Sequence, residues 1–272
     1  MTETFNNLDP HPPCFGITLQ SIVPMRREPR EQSEMVSQLL FGEPYRVEEV
    51  IDKWLRISAC FDHYGGWFDR KLHREITQEE YRKYNPVQVP VLACKMAEIR
   101  LSRSSVLIIS AGSSLPGFVE SRKTLVTPDK EVPVRPIGGK MIRSSDQRIN
   151  HTACQFLNVP YLWGGRSFFG MDCSGFVQTV FKIHGIFLPR DAAEQAKSGT
   201  EISSADEVAP GDLAFFGLDR ENISHVGIVM PASEIIHCSG WVRIDRLERS
   251  GIYNRSTHTM THKLQALRRV GE

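Results

Sequence analysis

With 272 residues, a net charge of +1 and 40% hydrophobic residues, the chain has room for two or three small domains with packed cores. So balanced a charge offers no long-range pull toward nucleic acid or an anionic membrane surface, and neither is expected as a partner. Apolar runs such as Val106-Leu107-Ile108-Ile109 are strand-sized, far short of the roughly 20 residues that cross a bilayer.

The amino terminus, Met1-Thr2-Glu3-Thr4-Phe5, has neither the basic start nor the apolar run of an export signal, so a cytoplasmic location is expected unless the native start is longer. Cys14, close behind Pro12 and Pro13, reads as an exposed terminal residue rather than a lipid attachment point. Short β elements follow at residues 17–25, 35–40, 45–51, 54–60 and 66–68, separated by Pro, Gly, Asp and Asn signals. Gly42-Glu43 and Tyr64-Gly65-Gly66-Trp67 are the clearest turns, and the pattern is that of a small barrel. Residues 77–84 form a short helical or connecting stretch. Residues 86–93, 98–101, 105–109 and 117–120 suggest a second, degenerate barrel, and the Pro- and Gly-rich residues 133–139 read as a linker.

Asp172-Cys173-Ser174-Gly175-Phe176 opens a strong helical pattern. Phe176, Val180 and Ile183 fall on one stripe with Val177 and Phe181 beside them, and Gly185 stands where a helix stops. Asp172 suits the N-cap, and a thiol at a helix N-terminus lies near unpaired N–H groups that favour thiolate. Downstream, the alternation of His225-Val226-Gly227-Ile228-Val229-Met230 puts His225 opposite Val226, Ile228 and Met230. That of Ile235-Ile236-His237-Cys238 turns Cys238 away from His237. A thiol, a base to take its proton and a polar partner to orient the base make a working nucleophilic set. The six cysteines are widely spaced and lack a Cys-x-x-Cys pair, so they are expected to be free thiols. Cys173, His225 and His237 lack the close-paired spacing of structural zinc ligands, and neither a metal nor another cofactor is expected.

These residues, together with Tyr161-Leu162-Trp163-Gly164-Gly165, Arg190-Asp191, Pro210-Gly211-Asp212-Leu213 and Ser224-His225-Val226-Gly227, resemble the NlpC-type cysteine peptidases that cut bacterial cell-wall peptides. The resemblance implies an α+β fold: a papain-like catalytic domain at 140–272 preceded by two small all-β SH3-like barrels at 1–80 and 81–135. It also implies Cys173 as nucleophile, His225 as general base, His237 as its orienting partner, and Tyr161 as a hydroxyl beside the oxyanion. Within that family the chain is most similar to the γ-D-glutamyl-L-diamino acid endopeptidases that recycle murein peptides. There Asp191 matches an aspartate that binds the free amine of an N-terminal L-Ala. Ala192 departs from the serine that follows it in that subgroup. Asp172 and Ser174 match residues that contact the L-Ala-γ-D-Glu portion, and Arg190 belongs to the same element.

In those enzymes the first module leans over the active site, which makes Glu34 and Trp67 the candidates to reach the pocket. An acid and an aromatic face both suit an ammonium group. The expectation is a monomeric cysteine peptidase acting on free murein-derived peptides without a cofactor. The alternatives are an exported hydrolase of intact wall anchored by its SH3-like modules, and a receptor that keeps the fold without the chemistry.

Overall fold

The computed structural model describes residues 13–85, 87–144, 147–204 and 207–271. Alternating apolar positions and Gly or Asp turns divide the first part into β1 (Cys14–Ile17), β2 (Ile22–Arg26), β3 (Met35–Leu40), β4 (Pro44–Ile51), β5 (Trp54–Ala59), β6 (Gly65–Asp69) and β7 (Glu75–Ile76). They form one antiparallel sheet in the order β3-β2-β6-β5-β4-β1-β7 around Val23, Leu39, Tyr45, Val47, Leu55, Ile57 and Phe68. The stretch expected as one strand at 17–25 is two, broken after Ile17. Helix α1 (Gln78–Lys83) closes this part under a capping box in which Thr77 and Glu80 satisfy each other's backbone N–H.

A second sheet, of order β10-β11-β8-β9, comprises β8 (Met96–Arg100), β9 (Val106–Ser110), β10 (Thr124–Val126) and β11 (Glu131–Ile137) over a core of Leu92, Ile99, Ile109, Leu125 and Val134. Residues 133–139, expected as a linker, mostly belong to β11. Two prolines are tolerated because Pro133 pairs only with β10 and Pro136 only with β8, so each missing N–H faces an unpaired side. Two expected strands also fail to form. Within 86–93 only an isolated bridge from Val91 to Ser114 is seen, with Pro86 outside the described residues, and 117–120 offers only a bridge from Val119 to Thr124.

The remainder holds α2 (Ile149–Cys154), the hairpin of β12 (Arg166–Ser167) and β13 (Gly170–Met171), then α3 (Cys173–Ile183) and α4 (Ala192–Gln195). The strands β14 (Thr200–Glu201), β15 (Leu213–Gly217), β16 (Ile223–Met230), β17 (Glu234–Ser239), β18 (Trp241–Glu248), β19 (Gly251–Asn254) and β20 (Thr259–Arg269) follow. Because β20 bonds to both β15 and β19, the last six strands close into a barrel. One face of its strands lines the lumen with Ala214, Phe216, Val229, Ile235 and Ile252. The other presents Phe215, Val226, Ile228, Ile236 and Val242 to Phe176, Val177, Val180 and Phe181 of α3. That packing sets the amino end of α3 against the start of β16. No helix among the described residues is long and apolar enough to cross a membrane.

Candidate active site

Asp172 caps α3, and its carboxylate is the hub of the loop before Cys173. Oδ1 accepts the Gly175 N–H at 2.7 Å and the Ser174 hydroxyl at 3.3 Å, and Oδ2 accepts the Gly164 N–H at 2.9 Å. Arg190 clamps both oxygens at 3.0 and 2.5 Å and donates to Ser174 Oγ at 2.9 Å. Asp172, Ser174 and Arg190 are all buried. Gly175 is required here by contact, since a Cβ would stand 2.1 Å from the Gly165 carbonyl oxygen. The thiol of Cys173 rests against β16, with its sulfur 3.9 Å from the Ser224 carbonyl oxygen, and the Val226 N–H points to it.

The electrostatics at the sulfur differ from the expectation for a helix N-terminus. Burial, reinforced by the Asp172 carboxylate, pushes the Cys173 thiol up to about 12 despite the Val226 and Ser174 N–H groups and Arg190. The residue is only 7% exposed, so losing water outweighs the helix terminus and the resting group is a thiol. Burial also pushes His225 well below its ordinary value, with His237 and His262 adding to the effect, so the resting imidazole is neutral. The thiol touches the β16 backbone on either side of His225, at the Ser224 carbonyl and the Val226 N–H, and a neutral imidazole and an un-ionised thiol can make the nucleophile only by proton transfer during the reaction.

His225, His237, Asp245 and His262 share the lumen face at one mouth of the barrel. His225 Nε2 meets His237 Nδ1 at 2.9 Å, and His237 Nε2 meets Asp245 Oδ2 at 3.1 Å. His262 stacks on His225 with ring centroids 4.2 Å apart. Cys238 lies on the opposite face, its thiol donating to the Met171 carbonyl. Asp245 and His262 were not singled out in the sequence. Asp245 reaches His237 because β17 and β18 pair Ile235 with Asp245, and His262 arrives through barrel closure. Neither local pattern carries a signal for either residue.

Tyr161 is 38% exposed near the thiol; burial, then Cys173 and Asp172, push its hydroxyl up to about 12, so it stays a donor. The two nominated residues of the first sheet separate. Glu34 accepts from Trp163 Nε1 at 2.6 Å and pairs with Arg27 at 2.8 Å, which places it on the loop before the nucleophile. Trp67 is buried within its own sheet opposite Arg26 and Arg56, and no hydrogen bond or ring contact among the described residues ties it to the pocket. A residue not nominated takes a nearer place: the Tyr64 hydroxyl lies 3.3 Å from Asp191 Oδ2 and 3.4 Å from Oδ1. Asp191 itself is solvent-exposed. Among the described residues, no group of three or more His, Cys, Asp or Glu is arranged to hold a metal ion.

Known proteins match over both parts of this arrangement. Residues 158–261 fit the profile of the NlpC/P60 family, and residues 25–71 that of the bacterial dipeptidyl-peptidase Sh3 domain. A γ-D-glutamyl-L-lysine dipeptidyl-peptidase of Bacillus subtilis is 31% identical over 218 residues, covering 74% of this chain and 71% of its own. Dipeptidyl-peptidase 6 of Lysinibacillus sphaericus is 24% identical over 244 residues, covering 82% and 87%. In fold, the crystal structure of an NlpC/P60 family protein from Bacillus cereus superposes with a TM-score of 0.77 over 94% of this chain and 99% of that one, at 21% identity.

Proposed function

Because this chain belongs to the NlpC/P60 family of cysteine peptidases, we propose that it hydrolyses the bond between γ-D-glutamate and a diamino acid in free murein peptides whose N-terminal L-Ala amine is unblocked. His225 takes the thiol proton of Cys173, and the thiolate adds to the γ-carbonyl carbon of the glutamate. The resulting oxyanion is met by the Cys173 N–H, which has no partner within its own helix, and by the Tyr161 hydroxyl. Collapse expels the diamino acid amine, which takes the proton held by His225, and leaves a thioester. Water, deprotonated by His225, then releases the carboxylate and restores the thiol.

The observation that carries the substrate choice is the Tyr64–Asp191 contact between the first sheet and the start of α4. It sets a carboxylate and a phenol together beside the cleft, a pair suited to an ammonium group. Glu34 on Trp163 adds a second acid on the same side. Burial of part of the Asp191 carboxyl raises it above the ordinary value, but the residue keeps solvent contact, so its contribution is about 1–2 kcal/mol, or roughly tenfold in specificity. The test compares kcat/KM for L-Ala-γ-D-Glu-diamino acid and its N-acetyl form, on the unaltered chain and on Asp191→Ala. A preference of about tenfold for the free amine, lost in the variant, is expected. Equal values for both peptides in the unaltered chain reject the reading in favour of an enzyme for attached wall stems. The same reading assigns the chain to peptide recycling in the cytoplasm, which fractionation of cells and sequencing of the mature amino terminus check.

A further inference from the structure

His237 has a second polar contact on its far side, and the partner there is a carboxylate with no contact to solvent. Asp245 is 0% exposed. Its Oδ1 accepts from Arg243 Nη2 at 3.0 Å and from the Arg255 N–H at 2.9 Å, while Oδ2 faces His237 Nε2 at 3.1 Å. Arg243 Nε also lies 2.8 Å from Oδ2 but without hydrogen-bond alignment. Burial alone would raise this carboxyl, yet the hydrogen bonds from His237, Arg255 and Arg243 hold it down at about 2, so it is ionised and can only accept.

A neutral imidazole carries one N–H. If Oδ2 only accepts, the hydrogen of neutral His237 sits on Nε2 and its Nδ1 is a bare acceptor. The 2.9 Å contact then requires the hydrogen of His225 on Nε2, which leaves the lone pair of His225 on Nδ1. We propose that Asp245 is a positioning residue that sets the direction of the whole relay, making Nδ1 of His225 the proton acceptor by fixing the tautomers of both histidines. The inference rests on the reading of Cys173, His225 and His237 as the reacting set, and adds to it a residue that touches neither the thiol nor the substrate.

The geometry separates this role from a structural one through a single isostere. In Asp245→Asn the two aligned donors on the Oδ1 side, Arg243 Nη2 and the Arg255 N–H, hold the amide oxygen where Oδ1 stood. The amide NH₂ then faces His237. It donates to Nε2, moves the hydrogen of His237 to Nδ1, and forces that of His225 onto Nδ1 as well, which removes the acceptor for the thiol. Asp245→Ala takes away the acceptor without supplying a donor, so the correct tautomer remains accessible. A residue that only braced the loop at Arg255 would show the reverse order, because Asn keeps the brace and Ala does not.

The experiment uses the full chain labelled with ¹⁵N-histidine. Long-range ¹H–¹⁵N spectra report the tautomers near neutral pH, and kcat is measured on the free tripeptide for the unaltered chain, Asp245→Asn, Asp245→Ala and Cys173→Ala. Expected are Nε2–H tautomers for His225 and His237 in the unaltered chain, Nδ1–H in Asp245→Asn, a kcat loss on the order of 10²–10³-fold in Asn and about tenfold in Ala. Nδ1–H on His237 in the unaltered chain overturns the inference even if the variants fail to fold. So does an Asn variant no worse than Ala. Full activity in Cys173→Ala sinks the underlying catalytic reading instead, and the two failures are therefore distinct.

Discussion

The resting site holds a thiol pushed up by burial and an imidazole pushed down by burial, and each shift has a kinetic consequence. The base works only when neutral. Since the folded pKa of His225 is lowered, protonation disables it only below pH 6.5, so kcat/KM for the free tripeptide should stay level on descending through 6.5 and fall at lower pH. Loss of half the activity at or above 6.5 would contradict a desolvated base. Cys173→Ala should abolish hydrolysis and leave folding intact, whereas Cys154→Ser should retain activity; Cys154 is half-buried on α2 and packs against the apolar core. His225→Ala should be nearly as severe as loss of the thiol. His237→Gln should keep part of the rate, because an amide can accept from His225 and donate to Asp245, preserving the direction of the relay.

Elements act on the site by how closely they approach. Helix α3 brings its first turn to the Gly164-Gly165 loop with no room for a methyl group at Gly175. Gly175→Ala should thus push the helix start away from the loop rather than stabilise a helical position. A cost of about 1–3 kcal/mol by urea unfolding is expected, with most of the activity lost; unchanged stability would show that the loop yields freely. Strand β3 plays the complementary part. As an edge strand it would expose unpaired backbone, but its residues dock on the catalytic part instead: Gln38 Oε1 accepts the Arg166 N–H at 2.9 Å, and Ser37 Oγ accepts from Arg190 Nε at 3.2 Å. The catalytic part is therefore buttressed by a sheet edge of another module.

Across the whole molecule, the three parts meet at one buried charge cluster. Glu43 accepts from Arg166 at 3.0 and 3.1 Å and from Lys182 Nζ at 2.6 Å, and Lys182 reaches on to Gly112 O at 2.8 Å and Ser114 Oγ at 3.3 Å beside the second sheet. Phe61 covers both cations. Glu43→Gln strands two buried cations and should cost about 3–5 kcal/mol by urea unfolding, while Lys182→Met leaves Glu43 its arginine and should cost less; the opposite order would mean that Lys182, not Glu43, anchors the modules. Acid should weaken the chain in two windows. His73, His184 and His262 are lowered to about 4, mainly by burial, so the unfolded chain binds more protons below pH 6.5 and stability declines from 6.5 toward 4. Asp245, lowered to about 2, contributes stability above 3.8 that is lost as pH falls through 2. Melting temperature against pH should show both declines, and a flat profile between 6.5 and 4 would refute the first.

Local periodicity expresses what a segment does on its own. A helix headed by Cys173 and stopped at Gly185, strands that turn His225 and His237 away from Val226 and Cys238, and a β-rich amino-terminal half all follow from side-chain spacing along a single element. Spacing misleads where a neighbour decides the outcome. The prolines of β11 suggest a linker, but their one-sided pairing is a property of the sheet, and a helix terminus favours thiolate locally, but desolvation belongs to the packed core. Asp245, His262 and Tyr64 carry no local signal. They reach His237, His225 and Asp191 through strand register, barrel closure and docking of a separate module, all of which act between residues far apart in the chain. Only the tertiary structure could bring them together, because burial, pairing and charge are set by what surrounds a residue in space, and spacing along the chain records only what a residue does to its own element.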